Sequence, residues 1–172
     1  MLMWPGVDTC AECGFVYDLT RATDVASLAT EHAVEYADLL LTDSPKLRQR
    51  PAPEVWSPLE YACHMRDVLF VQRERALAAR RWDTPEATPM GRDERVEHDG
   101  YADQRPSDVG RQLRDAAQLF ANVLDRLKDE DWERTLIYSF PQRQERSVRW
   151  LALHTLHELR HHLRDMHLQL DS

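Results

Sequence analysis

Long apolar runs are missing from this 172-residue chain: none approaches the roughly 18 consecutive apolar residues that a membrane span requires. The N-terminus also lacks a basic start followed by an apolar stretch, so it does not read as a signal peptide, and the expected location is the cytoplasm. Glycine is scarce, at five residues, and leucine and alanine recur periodically, which disfavours a strand-rich fold. There are three cysteines, Cys10, Cys13 and Cys63, too few and too unevenly spaced for a disulfide scaffold. A basic excess is absent as well. The net charge is −8 and the isoelectric point about 5.4, which argues against nucleic acid as a partner, because phosphate binding needs a basic face. Lysine is nearly absent: Lys46 and Lys128 are the only two, and every other basic residue is arginine.

What remains is 42% apolar and 30% charged, a balance suited to one globular domain with a real core. A first helix is expected from near Asp24 to about Leu41, with Leu28, His32, Glu35 or Tyr36, and Leu39 on one face. A proline-rich connector follows, from Pro45 to Pro53. The second helix has the clearest start. Ser57 is its N-cap, Pro58 its first residue, Glu60 completes a capping box, and Trp56 precedes the cap where a staple residue belongs. Tyr61, His64, Val68 and Val71 then recur at helical spacing, so His64 lies in the inward stripe of a helix expected to end near Trp82.

Residues 83–105 are acidic and weakly periodic. A connection this long is either functional or a solvated linker. Ser107 is read as the cap of a third helix with the stripe Val109, Leu113, Ala116, Phe120, Val123 and Leu127, and residues 132–146 as a short extended segment or hairpin. Ser147 opens a fourth helix that runs to about Leu170. The expected fold class is therefore all-α: a four-helix bundle over residues 23–172, carrying an N-terminal extension over residues 1–22 with a Cys-x-x-Cys element.

The last helix carries the chemistry. His154, His157, His161 and His162, with Glu158 and Asp165, fall within twelve residues, and imidazole and carboxylate are ligands of zinc and related divalent ions. At about 100° per residue, Ala152, Leu156, Leu159, Leu163, Met166 and Leu170 form the core stripe. His162 lies about 60° to one side of Leu159 and Glu158 about 100°, so both border the interior. His157 and His161 lie about 160° away, on the opposite face, and His154 falls on the polar side. Two ligand pairs emerge, each at i, i+4. The inward pair, Glu158 and His162, is expected to meet His64 around one metal and leave a fourth position open, the pattern of a catalytic zinc. Asp165, one turn beyond His162, is the candidate catalytic residue, acting by orienting a ligand. The string from His157 to His161 also spells the zinc-protease pattern of two histidines around a glutamate, but its histidines face away from the expected core.

Cys10-Ala11-Glu12-Cys13-Gly14 resembles half of a zinc knuckle. With the outward pair it makes a candidate second, structural zinc site of Cys10, Cys13, His157 and His161. The alternatives are a reduced surface dithiol, a redox pair, or exposed histidines with no role.

These residues carry a family likeness. Trp56-Ser57-x-x-Glu60-x-x-x-His64 resembles the second-helix signature of the DinB/YfiT-like superfamily, and the histidine-rich last helix resembles that superfamily's second metal motif. The likeness spans roughly residues 24 to 170. Glu158-x-x-x-His162-x-x-Asp165-Met166 looks like the mycothiol-dependent maleylpyruvate isomerase branch, where His, Glu and His bind zinc. Many other members use two histidines, which here would be His157 and His161. The Gly-Gln that commonly follows the last ligand is replaced by Arg164-Asp165. The resemblance implies a divalent metal, zinc first, a low-molecular-weight thiol cosubstrate, a small-molecule electrophile and often a homodimer. Two other readings stay open: a metal-dependent hydrolase, and a non-enzymatic zinc-stabilised binding or stress-response module.

Overall fold

The computed structural model describes residues 9–42, 44–140 and 142–172. Four long helices dominate: α1 (Val25–Leu40), α2 (Pro58–Arg81), α4 (Pro106–Leu124) and α6 (Val148–Leu170). Two short helices, α3 (Arg92–His98) and α5 (Asp129–Trp132), and a hairpin of β1 (Thr135–Tyr138) and β2 (Gln144–Ser147) fill the connections. This is the expected helical bundle, and the hairpin is the extended element anticipated between residues 132 and 146.

The packing order is α1–α4–α2–α6, closing back on α1. The consecutive long helices α1 and α2 therefore lie across the core from each other, and a connector with a one-turn 3-10 helix (Pro45–Arg48) carries the chain over. Tyr36, Leu59, Met65, Leu69, Leu113, Phe120, Leu159 and Met166 fill the centre and are fully buried. The Tyr36 hydroxyl donates to the Leu159 carbonyl at 2.8 Å, which satisfies a polar group in the middle of that core. At Gly110 the helices α1 and α4 approach so closely that a Cβ would stand 3.3 Å from the Ala37 Cα.

Local sequence sets the ends of α2 and α6. The Ser57 hydroxyl accepts from the Glu60 amide at 3.3 Å, and the Glu60 carboxylate accepts from the Ser57 amide at 2.9 Å, a complete capping box. Trp56 packs on Tyr61 with ring centroids 5.7 Å apart, the expected staple. Ser147 caps α6 by accepting from the Trp150 amide at 3.2 Å. The start of α4 differs from expectation. Pro106 is its first residue and Arg105 its N-cap, so the fixed φ of proline, not the hydroxyl of Ser107, sets the boundary.

Residues 83–105 are not a solvated linker. Residues 85–87 pair with the hairpin: the Ala87 amide donates to the Ile137 carbonyl at 2.8 Å, and the Ile137 amide to the Pro85 carbonyl at 2.9 Å. Farther along, Tyr101 is fully buried and its hydroxyl donates to Asp67 at 2.6 Å. Arg95 donates to the same carboxylate at 3.2 Å, and Arg66 of α2 donates to Gln104 at 2.6 Å, so both pin the segment to α2. No helix among the described residues is long and apolar enough to cross a membrane.

The start of α2 is also held by Arg50, whose guanidinium donates twice to Glu60, at 2.8 and 2.5 Å. Burial alone would raise the Glu60 carboxyl, but the Arg50 and Ser57 hydrogen bonds outweigh it and hold the group below its ordinary value. A depressed carboxyl contributes stability at neutral pH that is lost as pH falls through its folded value. Glu60→Gln is therefore expected to cost about 1–2 kcal/mol at neutral pH, measured by denaturant unfolding. The gap to wild type should narrow as pH falls below about 4.5, the ordinary glutamate value. A gap that does not change with pH would contradict the ion-pair account.

Candidate metal centre

Three side chains expected to converge do so. His64 from α2 and Glu158 and His162 from α6 bring one ligand atom each within 4.8 Å of one another. Each is positioned by its helix. His64 lies in the buried stripe of α2 and is only 4% exposed. Glu158 and His162 are one turn apart at the edge of the α6 stripe, where α6 packs on α2.

The rings are held by their neighbours. Tyr61 stacks on His162 at 4.8 Å, and Trp56 covers His64 at 5.0 Å. His162 presents Nε2 to Glu158 at 3.6 Å, and its Nδ1 lies 3.2 Å from Asp165 Oδ2. This is the carboxylate–imidazole arrangement that fixes the tautomer and orientation of a metal-ligating histidine. Asp165 is thus in hydrogen-bond contact with His162, the contact a carboxylate that orients this ring would make.

Burial pushes the His64 imidazole down to about 3, so it is a neutral nitrogen donor. Its Nδ1 is completely buried and has no hydrogen-bond partner. An orphaned polar atom of this kind costs on the order of 1–3 kcal/mol, and coordination of an ion by the ring would offset burial of an imidazole beside a carboxylate. Burial alone would lower His162 and raise Glu158. Asp165 and Glu158 instead raise His162, and the surrounding histidines lower Glu158. The pocket thus already favours positive charge between two carboxylates. Two nitrogens and one carboxylate oxygen suit a divalent ion, so the residues present fit such a group.

The second expected cluster is also assembled. Cys10, Cys13, His157 and His161 bring their ligand atoms within 4.8 Å of one another. The helical wheel put His157 and His161 on the outer face. They are on that face, but they are half-buried, because the extension folds over them. His154 is a correction. The wheel placed it on the polar side, whereas it is buried. Trp150 stacks on it at 4.6 Å, Tyr138 of the hairpin meets it edge-on at 5.5 Å, and Tyr17 of the extension hydrogen-bonds its Nδ1 at 2.9 Å. The aromatics that cover this face come from distant segments, and periodicity within α6 carries no record of them.

Two other histidines and the third cysteine have structural partners. His32 lies 3.7 Å from Glu35, and His167 pairs with the same residue at 3.0 Å. Cys63 is buried 3.8 Å from the Tyr101 carbonyl. His98 lies in α3.

One functional candidate was not singled out by sequence. Arg75 donates to Gln72 Oε1, the Tyr138 hydroxyl and the Thr88 carbonyl, all neutral acceptors, while its Nε is buried without a partner. It lines a cavity of about 480 Å³ between α2 and residues 85–90, together with apolar residues such as Phe70 and Met90 and the charged Asp67, Glu74, Glu86 and Arg95. None of His64, Glu158 and His162 lines that cavity. The connection to them is by contact, from Arg75 to Tyr138 to His154, one turn before Glu158.

The architecture is a helical bundle with a candidate set of metal ligands between two of its helices. The family model of the DinB superfamily matches residues 28–166, and the chain belongs to that superfamily. No curated protein sequence matches. Among solved structures, the fold is similar to YfiT from Bacillus subtilis, described as a probable metal-dependent hydrolase with an unusual four-helix bundle topology. The TM-score is 0.72 at 15% identity, covering 98% of this chain and 94% of that one. It is also similar to the mycothiol-dependent maleylpyruvate isomerase, with a TM-score of 0.69 at 14% identity over 87% of this chain. The match spans 60% of the isomerase chain.

A cluster that holds a divalent ion depends on its buried donor. His64→Ala is expected to weaken zinc binding at this centre by more than about 100-fold, and Asp165→Asn by about 10–100-fold, measured by competition with a chromophoric chelator. Unchanged affinity in His64→Ala would contradict the assignment.

Proposed function

We propose that this protein is a metal-dependent thiol transferase or isomerase that acts on a small electrophile. The observation that carries the reading is the set of ligands at the α2–α6 seam: His64, Glu158 and His162, with no fourth protein ligand grouped with all three among the described residues, although Glu158 also falls in a set with His154 and His157. Three protein donors leave room for an exogenous group, as in catalytic sites. A divalent ion there, zinc first, would activate a thiol or a water at neutral pH.

The chain's own residues do the rest. His64 and Glu158 supply a neutral and an anionic donor. Asp165 and Tyr61 hold the His162 ring in one orientation. Trp56 and Tyr61 shield the centre from water on one side. In the transfer, the thiol loses its proton to solvent and its sulfur forms a bond to the electrophilic carbon. The leaving group then departs with the electrons of the broken bond, or, in an isomerisation, the same thiol is expelled again and takes back a proton. Arg75, unmatched by any carboxylate among its partners, fits an acidic group on the thiol or the electrophile. The likeness to the mycothiol-dependent isomerase supports the thiol, and the likeness to YfiT, described as a probable metal-dependent hydrolase, supports the metal.

A hydrolase is the second reading, favoured by the likeness to YfiT over nearly the whole chain. Assays on electrophiles and on esters, with and without added thiol, separate the two. The thiol reading expects turnover that requires both metal and thiol, with Arg75→Gln raising the KM for an acidic substrate more than it lowers kcat. Turnover of esters by the metal-loaded protein without thiol would overturn it in favour of hydrolysis.

A further inference from the structure

We infer that Cys10, Cys13, His157 and His161 form a structural zinc site that staples the N-terminal extension to α6. The inference does not rest on the proposed function, and the site shares no residue with the His64 cluster. All four ligand atoms lie within 4.8 Å of one another although the cysteines and histidines are separated by most of the chain. Two sulfurs and two imidazole nitrogens are a full tetrahedral set for zinc, with no position left for a substrate.

The backbone presents the thiols together. The Cys10 amide donates to the Phe15 carbonyl and the Gly14 amide to the Cys10 carbonyl, each at 2.9 Å. Gly14 takes φ +70°, the left-handed conformation that closes this turn and that other side chains rarely adopt. A bridge between Thr9 and Val16 completes a small knuckle.

The histidines are oriented toward it. His161 Nδ1 is 3.8 Å from Cys10 Sγ, and its Nε2 faces Glu12 at 3.3 Å and Asp165 at 3.7 Å. His157 hydrogen-bonds the Tyr17 hydroxyl through Nδ1 at 2.8 Å, while its Nε2 is buried with no hydrogen-bond partner. The two rings therefore each use one nitrogen on an outer oxygen and keep the other for the ion, the arrangement typical of ligating histidines. The staple holds Phe15 and Tyr17 over α6, and Tyr17 in turn holds His154.

The test is metal content and cobalt spectroscopy of the full chain, purified without a polyhistidine tag and loaded with Zn(II) or Co(II). The expected result is one fewer zinc per chain in Cys10→Ala/Cys13→Ala than in wild type. Cobalt-loaded wild type should show thiolate-to-cobalt charge-transfer absorption that His64→Ala retains and the cysteine variant lacks. The wild-type spectrum decides the matter even if the cysteine variant does not fold. Absence of that absorption from wild type, or a Cys10–Cys13 disulfide forming in the zinc-loaded protein, would overturn the site in favour of a redox or idle pair. Loss of the absorption in His64→Ala would also contradict it.

Discussion

Where α2 and α6 pack, an otherwise apolar seam takes in two imidazoles and a carboxylate. Burying such groups is costly unless each finds a partner. His162 and Glu158 partly satisfy one another and Asp165 completes the set, but His64 keeps a buried nitrogen with nothing to bond. The surrounding structure is arranged to hold these groups together. The Ser57 capping box fixes where α2 begins, Trp56 and Tyr61 wall the rings, and residues 83–105 are tied to α2 through the Asp67 carboxylate. A buried polar cluster kept under this much constraint is what the proposed metal site requires.

The last helix presents histidines on two faces, and different parts of the chain cover each. Toward the core, Glu158 and His162 meet a single histidine from α2. Away from it, His157 and His161 meet two thiols from the extension. Asp165 lies between the faces, 3.2 Å from His162 Nδ1 and 3.7 Å from His161 Nε2, and Glu158 lies 3.6 Å from His157 Nδ1, so two carboxylates touch both clusters. Helical periodicity produces this division directly, because residues at i and i+4 share a face while adjacent residues point about 100° apart.

That periodicity is also why much of the molecule was legible in the sequence. The capped start of α2, the stripe of α6 and the inward lean of Glu158 and His162 are local properties, and the structure carries them as read. Where covering segments come from far along the chain, the reading stopped short. His154 is buried because Tyr17 and Tyr138 close over it, and nothing in the spacing of α6 specifies those partners. Residues 83–105 have no amphipathic stripe, since their order comes from a bridge to the hairpin and from Tyr101 plugging onto Asp67. Arg75 was indistinguishable from the many other arginines until its neutral partners were visible.

The most direct test of the account is a crystal structure of the zinc-loaded protein with anomalous data collected on both sides of the zinc absorption edge. The account predicts a zinc peak at about 2.0–2.2 Å from one nitrogen of His64, one oxygen of Glu158 and His162 Nε2, with a non-protein atom as its remaining ligand. No peak between α2 and α6, or a peak closed off by a fourth protein ligand, would contradict it.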